Sequence, residues 1–478
     1  MITRHAAVDL GASNGRVIVG AVDGDGIVMH EEHRFGNGPV AVRGRLYTDA
    51  VALYAGIVDG LTAAARTPLA SVGIDSWGVD YGRLDAAGEL LGVPRHYRDD
   101  RTAAQVPVLE AALAPLDAYR ATGIQPAFYN TVYQLMDDLG SPQWPLVDQV
   151  LFTPDLMGYW LSGVPGCETT IGSTSALLDA STRRWSDAAA AAAGLDLGVF
   201  AALEEPGTRR GPLLPELGTG AELVAVGGHD TASAVAAVPA ADEHFAYISC
   251  GTWSVVGAEL RRPILTEDAF AAGFTNELGV DGTVRFNRNL TGLWLLQECQ
   301  RTWRASGADT GVAELVAAAA REPGLVSVVD AGSEVFSAPD DMPARIAAEC
   351  VRTGQPVPQG HGAMVRCVLD SLALAHARAV RQVERLGGPQ VRVVHLVGGG
   401  TRNELLCQLT ADACGLPVVA GPVEAAALGN IVVQARAMGT LSGDLPALRR
   451  VIAAGGDIRR YEPTGRASDW DAADARLN

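Results

Sequence analysis

The chain has 478 residues, of which 48% are hydrophobic and 19% charged, and its formal net charge is −18 at pH 7. Because this length exceeds what one hydrophobic core supports, we expect two domains. The negative charge disfavours nucleic acid and anionic membrane surfaces as partners.

The sequence has no lysine, so all 37 basic residues are arginine. Walker-type phosphate loops, protein kinases and Schiff-base enzymes each use a lysine, and all three classes are therefore disfavoured. A nucleotide phosphate would have to be bound by backbone amides, hydroxyls, arginine and a metal ion.

Seven cysteines are scattered along the chain without a CxxC pair, which excludes a zinc ribbon and a thioredoxin-like motif. We expect free thiols in a reducing cytoplasm, Cys350 and Cys367 included. Asp9 and Arg16 interrupt the first apolar runs, and no uncharged apolar stretch reaches about 18 residues. We therefore expect a cytoplasmic protein without a signal region or a membrane span.

The N-terminal part predicts a meander of strands joined by glycine turns, then a helix and a buried strand. The predicted elements are strands at 6–8, 17–22 and 27–29, a helix near 48–65 and a strand at 71–75. The apolar face of the helix is predicted at Val51, Tyr54, Ala55 and Val58. This order of elements is typical of a layered α/β domain.

A similar hairpin recurs after the midpoint, with strands at 245–248 and 254–258. The similarity spans half the chain, so we predict two related domains, 1–240 and 241–478. The later predicted elements are a helix at about 362–386, a strand at 391–397, the triplet Gly398-Gly399-Gly400 and a helix at 403–414. A strand, a glycine turn and a helix in this order place ligands at strand ends.

The turn 9–16 has the composition of an anion-binding loop. Gly11 and Gly15 leave backbone amides accessible, and hydroxyl and amide side chains lie between them. Arg16 adds a cation, and Asp9 at the strand end could hold a hydrated Mg²⁺ that bridges phosphates. An ordinary glycine-containing hairpin turn is the alternative.

Two glycine-containing segments in the second half of the chain have the composition to bind the phosphate chain and the adenosine of a nucleotide. Gly251 and Thr252 would supply amides and a hydroxyl to a phosphate chain. The triplet 398–400 would let a flat ligand approach the backbone, which favours an adenosine shelf over a simple tight turn.

Asp230 lies where a glycine loop becomes a small-residue helix, in the stretch 227–235. A carboxylate there could accept the proton of a bound hydroxyl during phosphoryl transfer. The alternative is capping of the helix onto Ser233. His229 could hydrogen-bond a sugar hydroxyl or be structural.

Two further segments suit a sugar. The run Trp77-Gly78-Val79-Asp80-Tyr81 follows a buried strand, and its aromatic residues beside a glycine suit the apolar face of a sugar. Asn289 precedes a helix, and it either caps that helix or contacts the sugar.

Together these motifs resemble the FGGY family of carbohydrate kinases over nearly the whole chain. The matching segments are 7–13, 33–35, 73–80, 97–99, 123–125, 130–131, 133–135, 229–235, 251–254, 292–297, 397–400, 411–415 and 421–425. Three residues depart from the family pattern, namely Asn14, Cys250 and Gly228. We expect Gly228 to loosen the hold on His229.

The resemblance implies an α/β fold of two actin-like (ribonuclease H-like) domains with an active-site cleft between them. The N-terminal domain would bind sugar and phosphate, and the C-terminal domain adenosine. The implied reaction is ATP-dependent phosphorylation of L-rhamnulose at its 1-hydroxyl with Mg²⁺, or of another ketose or polyol. The expected partners are the ketose and ATP, in a monomer or homodimer. An actin-like nucleotide switch without an acceptor is the other class, and the set 229–231 argues against it.

The resemblance also implies a role for each site residue. Asp230 would be the proton acceptor, and the loop chemistry makes Asp9 the predicted metal ligand. The residues implied for the sugar are Gly78, His229, Asp230, Thr231 and Asn289. The residues implied for the nucleotide are Ala12, Ser13, Asn14, Gly15, Arg16, Thr252, Gln297 and Gly399.

Overall fold

The structure is a computed structural model and describes residues 2–23, 26–308, 310–337, 339–455, 458–464 and 467–477. The chain forms two compact units. The first comprises Met1–Ala241, Glu259–Phe286 and Ala425–Gly455, and the second comprises Asp242–Ala258, Asn287–Glu424 and Gly456–Asn478. No helix of the described part is long and apolar enough to cross a membrane.

Strands and helices alternate along the chain, as expected for an α/β protein. The strands are β1 Thr3–Leu10, β2 Asn14–Val22, β3 Ile27–Gly36, β4 Pro39–Val42, β5 Arg45–Thr48, β6 Ser71–Ser76, β7 Tyr81–Leu84, β8 Gln149–Phe152, β9 Cys167–Glu168, β10 Leu178–Asp179, β11 Arg184–Trp185, β12 Leu203–Glu204, β13 Arg209–Pro212, β14 Glu222–Val224, β15 Phe245–Cys250, β16 Trp253–Leu260, β17 Thr275–Leu278, β18 Val284–Thr291, β19 Val393–Val397, β20 Val418–Ala420 and β21 Arg459–Tyr461. The helices are α1 Ala50–Ala64, α2 Val106–Ala112, α3 Pro115–Thr122, α4 Thr131–Leu139, α5 Thr153–Ser162, α6 Thr169–Gly172, α7 Asp187–Ala193, α8 Asp230–Ala236, α9 Glu267–Ala271, α10 Trp294–Ala305, α11 Val312–Ala319, α12 Met342–Arg352, α13 Gly360–Arg385, α14 Glu404–Cys414, α15 Ala425–Ala437, α16 Leu445–Gly455 and α17 Ala467–Asp474.

The central sheets of the two units repeat one topology. In the first unit the strand order is β13-β14-β6-β1-β2-β3, with β1 antiparallel to β2 and parallel to β6. The second sheet has seven strands in the order β21-β20-β19-β15-β16-β18-β17, of which the first six match, with β15 antiparallel to β16 and parallel to β19. The edge pairs also correspond, since β13 is antiparallel to β14 and β21 to β20. The similarity between the two hairpins therefore reflects a repeated fold.

Helix α1 covers one face of the first sheet with a buried face that only partly matches the prediction. Its buried positions include Leu53, Ile57 and Leu61, which pack against β1 and β2. Of the predicted residues, Tyr54 and Val58 pack partly against this core, whereas Val51 and Ala55 are exposed. The spacing i, i+4 and i+8 of the buried aliphatic residues defines one helix face.

Helix α15 packs on the opposite face of this sheet, where small residues permit close approach. A Cβ on Gly429 would lie 1.8 Å from the carbonyl oxygen of Ser233 in α8, so only glycine fits at this crossing. A Cβ on Gly73 of β6 would lie 2.5 Å from Asn430 Oδ1. Helix α15 therefore fixes the position of α8, which begins at Asp230.

The glycine-rich segment of the second unit has the predicted order of elements. Helix α13 is followed by β19, a 3₁₀ turn at Gly399–Arg402 and α14, whose first turn is capped by the Asn403 side chain. Each predicted element of this segment is confirmed, with ends that differ by one or two residues.

The cysteines are free, as predicted. Cys350 on α12 and Cys367 on α13 are buried and hydrogen-bond to each other. This bond lowers the pKa of the Cys350 thiol and raises the pKa of the Cys367 thiol. The pair is a thiol contact inside the core of the second unit.

Candidate active site

Three segments of the first unit meet at the carboxyl ends of its parallel strands β1, β6 and β14. The amide of Trp77, just after β6, donates to Leu10 O at the end of β1, at 3.3 Å. The amide of Ser76 donates to Gly228 O, in the loop that follows β14, at 2.9 Å. This is the edge at which open α/β sheets bind ligands.

Asp230 is the first residue of α8, and its carboxylate is partly exposed. Its Oδ1 accepts a hydrogen bond of 3.0 Å from the Thr231 hydroxyl. The amide of Ser233 donates to His229 O instead, and its hydroxyl donates to Gly227 O. The alternative of capping onto Ser233 is therefore wrong, and the carboxylate is directed to other partners.

The loop before Asp230 is held by the buried carboxylate of Glu168. The amide of Gly228 donates to Glu168 Oε2 at 2.8 Å, and the same oxygen accepts from the Thr170 hydroxyl at 2.6 Å. A Cβ on Gly228 would lie 2.8 Å from that oxygen, so glycine is required. Burial raises the pKa of Glu168 to about 7. The expectation that Gly228 loosens the hold on His229 is wrong.

His229 lies between Asp230 and an ion pair. Its Nε2 is 3.6 Å from Asp230 Oδ1. Its Nδ1 is 3.1 Å from Arg285 Nη2 and 3.2 Å from Glu277 Oε2. The ring is therefore oriented by charged neighbours on one side and faces the candidate base on the other.

Gly78 and Val79 form a strained turn beside these residues. Val79 has φ +69°, which is unfavourable for a β-branched residue. Its amide donates to Thr174 Oγ1 at 3.1 Å and its carbonyl accepts from the Thr131 hydroxyl at 2.8 Å. A Cβ on Gly78 would lie 3.0 Å from Thr174, so a larger residue would be crowded. The turn is held in one conformation, as ligand-contacting turns often are.

The predicted phosphate loop is a tight turn whose acid and base pair with each other. Asp9 and Arg16 stand opposite each other in β1 and β2, and the guanidinium donates to the carboxylate. Ala12 and Ser13 at the tip are exposed. Gly15 is required by packing, because a Cβ there would lie 2.4 Å from the Phe35 ring.

A second buried carboxylate, Asp75, stands beside Asp9 in the adjacent strand β6. Burial, and then the charge of Asp9, raise the pKa of Asp75. Its Oδ2 accepts from Asn430 Nδ2 at 2.6 Å, and its buried Oδ1 has no hydrogen-bond partner among the described residues. Asn430 is in turn fixed by Gln434, which donates to its Oδ1 at 2.6 Å. A polar relay on α15 thus sets the orientation of Asp75.

No group of three or more His, Cys, Asp or Glu in the described part of the chain is arranged to hold a metal by itself. Mg²⁺ does not require three such protein ligands, because it commonly keeps several waters and binds one or two carboxylates together with substrate phosphates. Asp9 and the unpartnered oxygen of Asp75 are hard oxygen donors of this kind. These residues fit a hydrated Mg²⁺.

The nucleotide residues predicted in the second unit lie around two glycine turns. The amides of Leu293 and Trp294 donate to Gly251 O and Thr252 O, which seats the turn after β15 against the start of α10. Gln297 is exposed in the first turn of this helix. Asn289 lies within β18 and α10 begins at Trp294, so the helix-cap alternative for Asn289 is wrong.

The three glycines of the triplet 398–400 differ in the structural reason for having glycine at each position. Gly398 has φ +85°, and a Cβ on Gly400 would lie 2.4 Å from Cys250 Sγ. A Cβ on Gly399 would meet no described atom within 4 Å, and the residue is exposed. The protein's own packing therefore explains two of the three glycines and leaves the surface at Gly399 open.

Comparisons with known proteins decide the family. The N-terminal domain of the FGGY family of carbohydrate kinases matches residues 5–237, and its C-terminal domain matches residues 246–438. The chain belongs to this family. It is 40% identical to a rhamnulokinase of Bacteroides thetaiotaomicron, over 98% of this chain and 97% of that protein.

Solved structures of a gluconate kinase and a glycerol kinase share the fold at low sequence identity. Gluconate kinase from Lactobacillus acidophilus has a TM-score of 0.80 at 14% identity, covering 99% of this chain and 96% of its own. Glycerol kinase from Plasmodium falciparum with ADP has a TM-score of 0.80 at 14% identity, covering 100% and 98%. The predicted α/β fold with two actin-like domains is confirmed, and as a carbohydrate kinase the enzyme uses ATP.

Four residues around the candidate site were missed from the sequence. Asp75 had a signal, because it is an acid at the end of a buried strand, as Asp9 is. Glu168, Glu277 and Arg285 had none, because each lies far along the chain from the residue it contacts.

Proposed function

We propose that the enzyme transfers the γ-phosphoryl group of ATP to the 1-hydroxyl of L-rhamnulose, with Mg²⁺. The observation that carries this substrate is the 40% identity to a rhamnulokinase over nearly the whole of both chains. The geometry adds a carboxylate, Asp230, at the carboxyl edge of the first sheet, beside His229 and the strained turn at Gly78.

Asp230 is the proton acceptor in this proposal. The oxygen of the 1-hydroxyl forms a bond to the γ-phosphorus while the bond from that phosphorus to the β-phosphate oxygen breaks. ADP leaves with the electron pair, and the hydroxyl proton moves to Asp230. Because the transition state of phosphoryl transfer is loose, the base mainly orients the hydroxyl and takes its proton late. Thr231, which donates to Asp230 Oδ1, holds the carboxylate in place.

The remaining sugar and nucleotide residues keep the roles that the family motifs imply. Gly78, His229, Thr231 and Asn289 would contact the ketose. The turn 12–16 and Thr252 would bind phosphates, and Gln297 and Gly399 the nucleoside. In this assignment residues 1–240 form the sugar and phosphate side, and residues 241–478 form the adenosine side and add Asn289 and Thr252. The open surface at Gly399 supports its part in this assignment.

Asp9, with Asp75 beside it, would hold the hydrated cation. Mg²⁺ bound there would neutralise charge on the β- and γ-phosphates. Arg16 forms an ion pair with the Asp9 carboxylate.

A coupled assay of ADP release tests the substrate. L-rhamnulose is compared with L-fuculose, L-ribulose, D-xylulose and glycerol at equal concentrations. We expect the highest kcat/KM with L-rhamnulose and negligible ADP release without sugar. A clear preference for another acceptor would overturn the substrate, and sugar-independent turnover would overturn the phosphotransferase role.

A further inference from the structure

His229 is anchored by two charged side chains that lie about fifty residues further along the chain. Arg285 on β18 approaches His229 Nδ1 to 3.1 Å through Nη2, and Glu277 on β17 places Oε2 3.2 Å from the same nitrogen. Nη1 of Arg285 pairs with Glu277 Oε2 at 2.8 Å. The Arg285 side chain is fully buried, so this is an interior ion pair rather than a solvated surface contact.

Of the two charged groups near His229 Nδ1, Arg285 makes the hydrogen bond, whereas Glu277 Oε2 lies 3.2 Å away as an ion-pair contact. A guanidinium has five N–H donors and no acceptor. Nδ1 can therefore share a hydrogen bond with it only as an acceptor, which leaves the proton of the neutral imidazole on Nε2. Glu277 balances the buried charge of Arg285, which would otherwise be costly to bury.

The protonated nitrogen faces the candidate base. Nε2 lies 3.6 Å from Asp230 Oδ1, which is beyond hydrogen-bond length. A substrate oxygen that accepts a hydrogen bond from His229 Nε2 would therefore lie close to a substrate hydroxyl that donates to Asp230 Oδ1. Two oxygens on adjacent carbons of a sugar lie this close to each other. For a ketose that receives phosphate at its 1-hydroxyl, the neighbouring oxygen is the one on C2.

We propose that Arg285 and Glu277 are positioning residues that hold His229 as an Nε2–H donor to the C2 oxygen of the ketose. The proposal rests on the proposed function, because it takes the reacting hydroxyl to lie against Asp230. His229 donates a hydrogen bond from Nε2 and gives up no proton in this role, while Asp230 accepts the proton of the 1-hydroxyl. The pair thus sets the distance between two adjacent oxygens of the substrate.

A merely structural role for the ion pair predicts different behaviour. Arg285 Nε also donates to Leu278 O at 3.1 Å, so replacing Arg285 would disturb the backbone as well as His229. Glu277→Gln is the sharper change, because it removes the charge and keeps an acceptor for Arg285. The buried pair of Glu259 and Arg449, 2.7 Å apart in the same unit, supplies a matched control in Glu259→Gln.

The test is a double-mutant cycle between Glu277→Gln and His229→Ala, read as kcat/KM for the ketose and KM for ATP. We expect Glu277→Gln to lower kcat/KM for the ketose about tenfold in the native background and less than about twofold in the His229→Ala background. KM for ATP should stay unchanged, and Glu259→Gln should change neither constant. Equal losses in both backgrounds would overturn the proposal.

A second measurement reads the tautomer without turnover. Ring ¹⁵N NMR of histidine-labelled enzyme, with the His229→Ala variant for assignment, should show the proton of His229 on Nε2. Arg285→Met, which removes the donor to Nδ1, should give a mixture of tautomers. A proton on Nδ1 in the native enzyme would overturn the proposal whether or not L-rhamnulose is the substrate. The expected tautomer without any ketose turnover would instead reject the proposed function and with it the contact to the C2 oxygen, while the anchoring of His229 by Arg285 and Glu277 would stand.

Discussion

The turns after β1 and after β15 occupy the same place in the repeated topology but carry different chemistry. In the first unit, Asp9 stands opposite Arg16 of β2 and beside Asp75 of β6. Two acids and one base therefore surround the end of β1. Burial, and then the charge of Asp9, raise the pKa of Asp75, while Arg16 opposes this shift.

The equivalent positions of the second unit are neutral. Ser249 of β15 stands opposite Val255 and beside Val397, the register partners that match the charged set of the first unit. Glycines that pack against Cys250 line the adjoining turn. The two units therefore share one topology, but the charged residues at the end of β1 have neutral counterparts at the end of β15.

The largest expected effect is at Asp230, the proposed proton acceptor in the first unit. Asp230→Asn keeps the shape of the side chain and removes its basicity, so kcat should fall by about 10²- to 10⁴-fold. The melting temperature and the affinity for ATP should stay close to those of the native enzyme. Steady-state ADP release with L-rhamnulose measures the loss, and retention of native kcat would show that the base lies elsewhere.

The next effect separates the two equivalent turns directly. Asp9→Asn should weaken the binding of Mn²⁺ in the presence of ATP by about 10- to 100-fold, because a carboxylate oxygen is lost. Ser249→Ala, at the matching position of the second unit, should change it by less than about twofold. Titration followed by electron paramagnetic resonance measures both variants. Similar losses of Mn²⁺ affinity in Asp9→Asn and Ser249→Ala would contradict the assignment of the cation site to the first unit alone.

The glycine triplet offers a pair of variants with opposite signatures. Gly399→Ala should raise KM for ATP several-fold, because its Cβ would occupy the space proposed for the nucleoside. The melting temperature should not change, because the Cβ would meet no described protein atom within 4 Å. Gly400→Ala should cost about 1–3 kcal/mol of stability through overpacking against Cys250. Thermal melts and ATP titrations separate the two effects. An unchanged KM in Gly399→Ala would remove Gly399 from the nucleotide site.

The smallest effects are opposite responses to pH. Burial raises the pKa of Glu168 to about 7 from 4.5, so its contribution to the stability of the first unit is lost as pH rises between these values. Burial lowers the pKa of His376 to about 4 from 6.5, so its contribution to the second unit is lost as pH falls between them.

Melting temperatures of Glu168→Gln and His376→Gln, each relative to the native enzyme at pH 5 and pH 7.5, measure these responses. Each variant also loses hydrogen bonds of the replaced side chain, which changes its melting temperature at both pH values. Comparing the variant-to-native difference at pH 5 with that at pH 7.5 cancels this constant change. Glu168→Gln should gain a few degrees on the native enzyme as pH rises, and His376→Gln should gain as pH falls. Differences that do not change with pH would contradict the assigned shifts.

The sequence was most informative where local signals decide the structure. The strand and helix order, the repeated hairpins and the residues at strand ends follow from hydrophobic periodicity and glycine placement, as β19 and α14 illustrate. The buried face of α1 was partly misjudged because tertiary packing, not local pattern, selected Leu53 and Ile57. The buried face of a helix is hardest to predict from the sequence where apolar residues lie on several of its faces.

The supports of the candidate site depend on long-range contacts that no local pattern reveals. Glu168 reaches Gly228 across 60 positions, and Arg285 reaches His229 across 56. The requirement for glycine at position 228 is a consequence of the first contact, since the space for a Cβ is taken by the Glu168 carboxylate. Such constraints appear only once the chain is folded.

The most direct test of the account is the identity of the product formed from L-rhamnulose and ATP. Two-dimensional ³¹P–¹H NMR of the reaction mixture follows the phosphorus atom. We predict that the new phosphorus signal correlates with the methylene protons of C1 and that ADP forms in equal amount. A correlation with another carbon position, or release of inorganic phosphate in place of a sugar phosphate, would contradict the account.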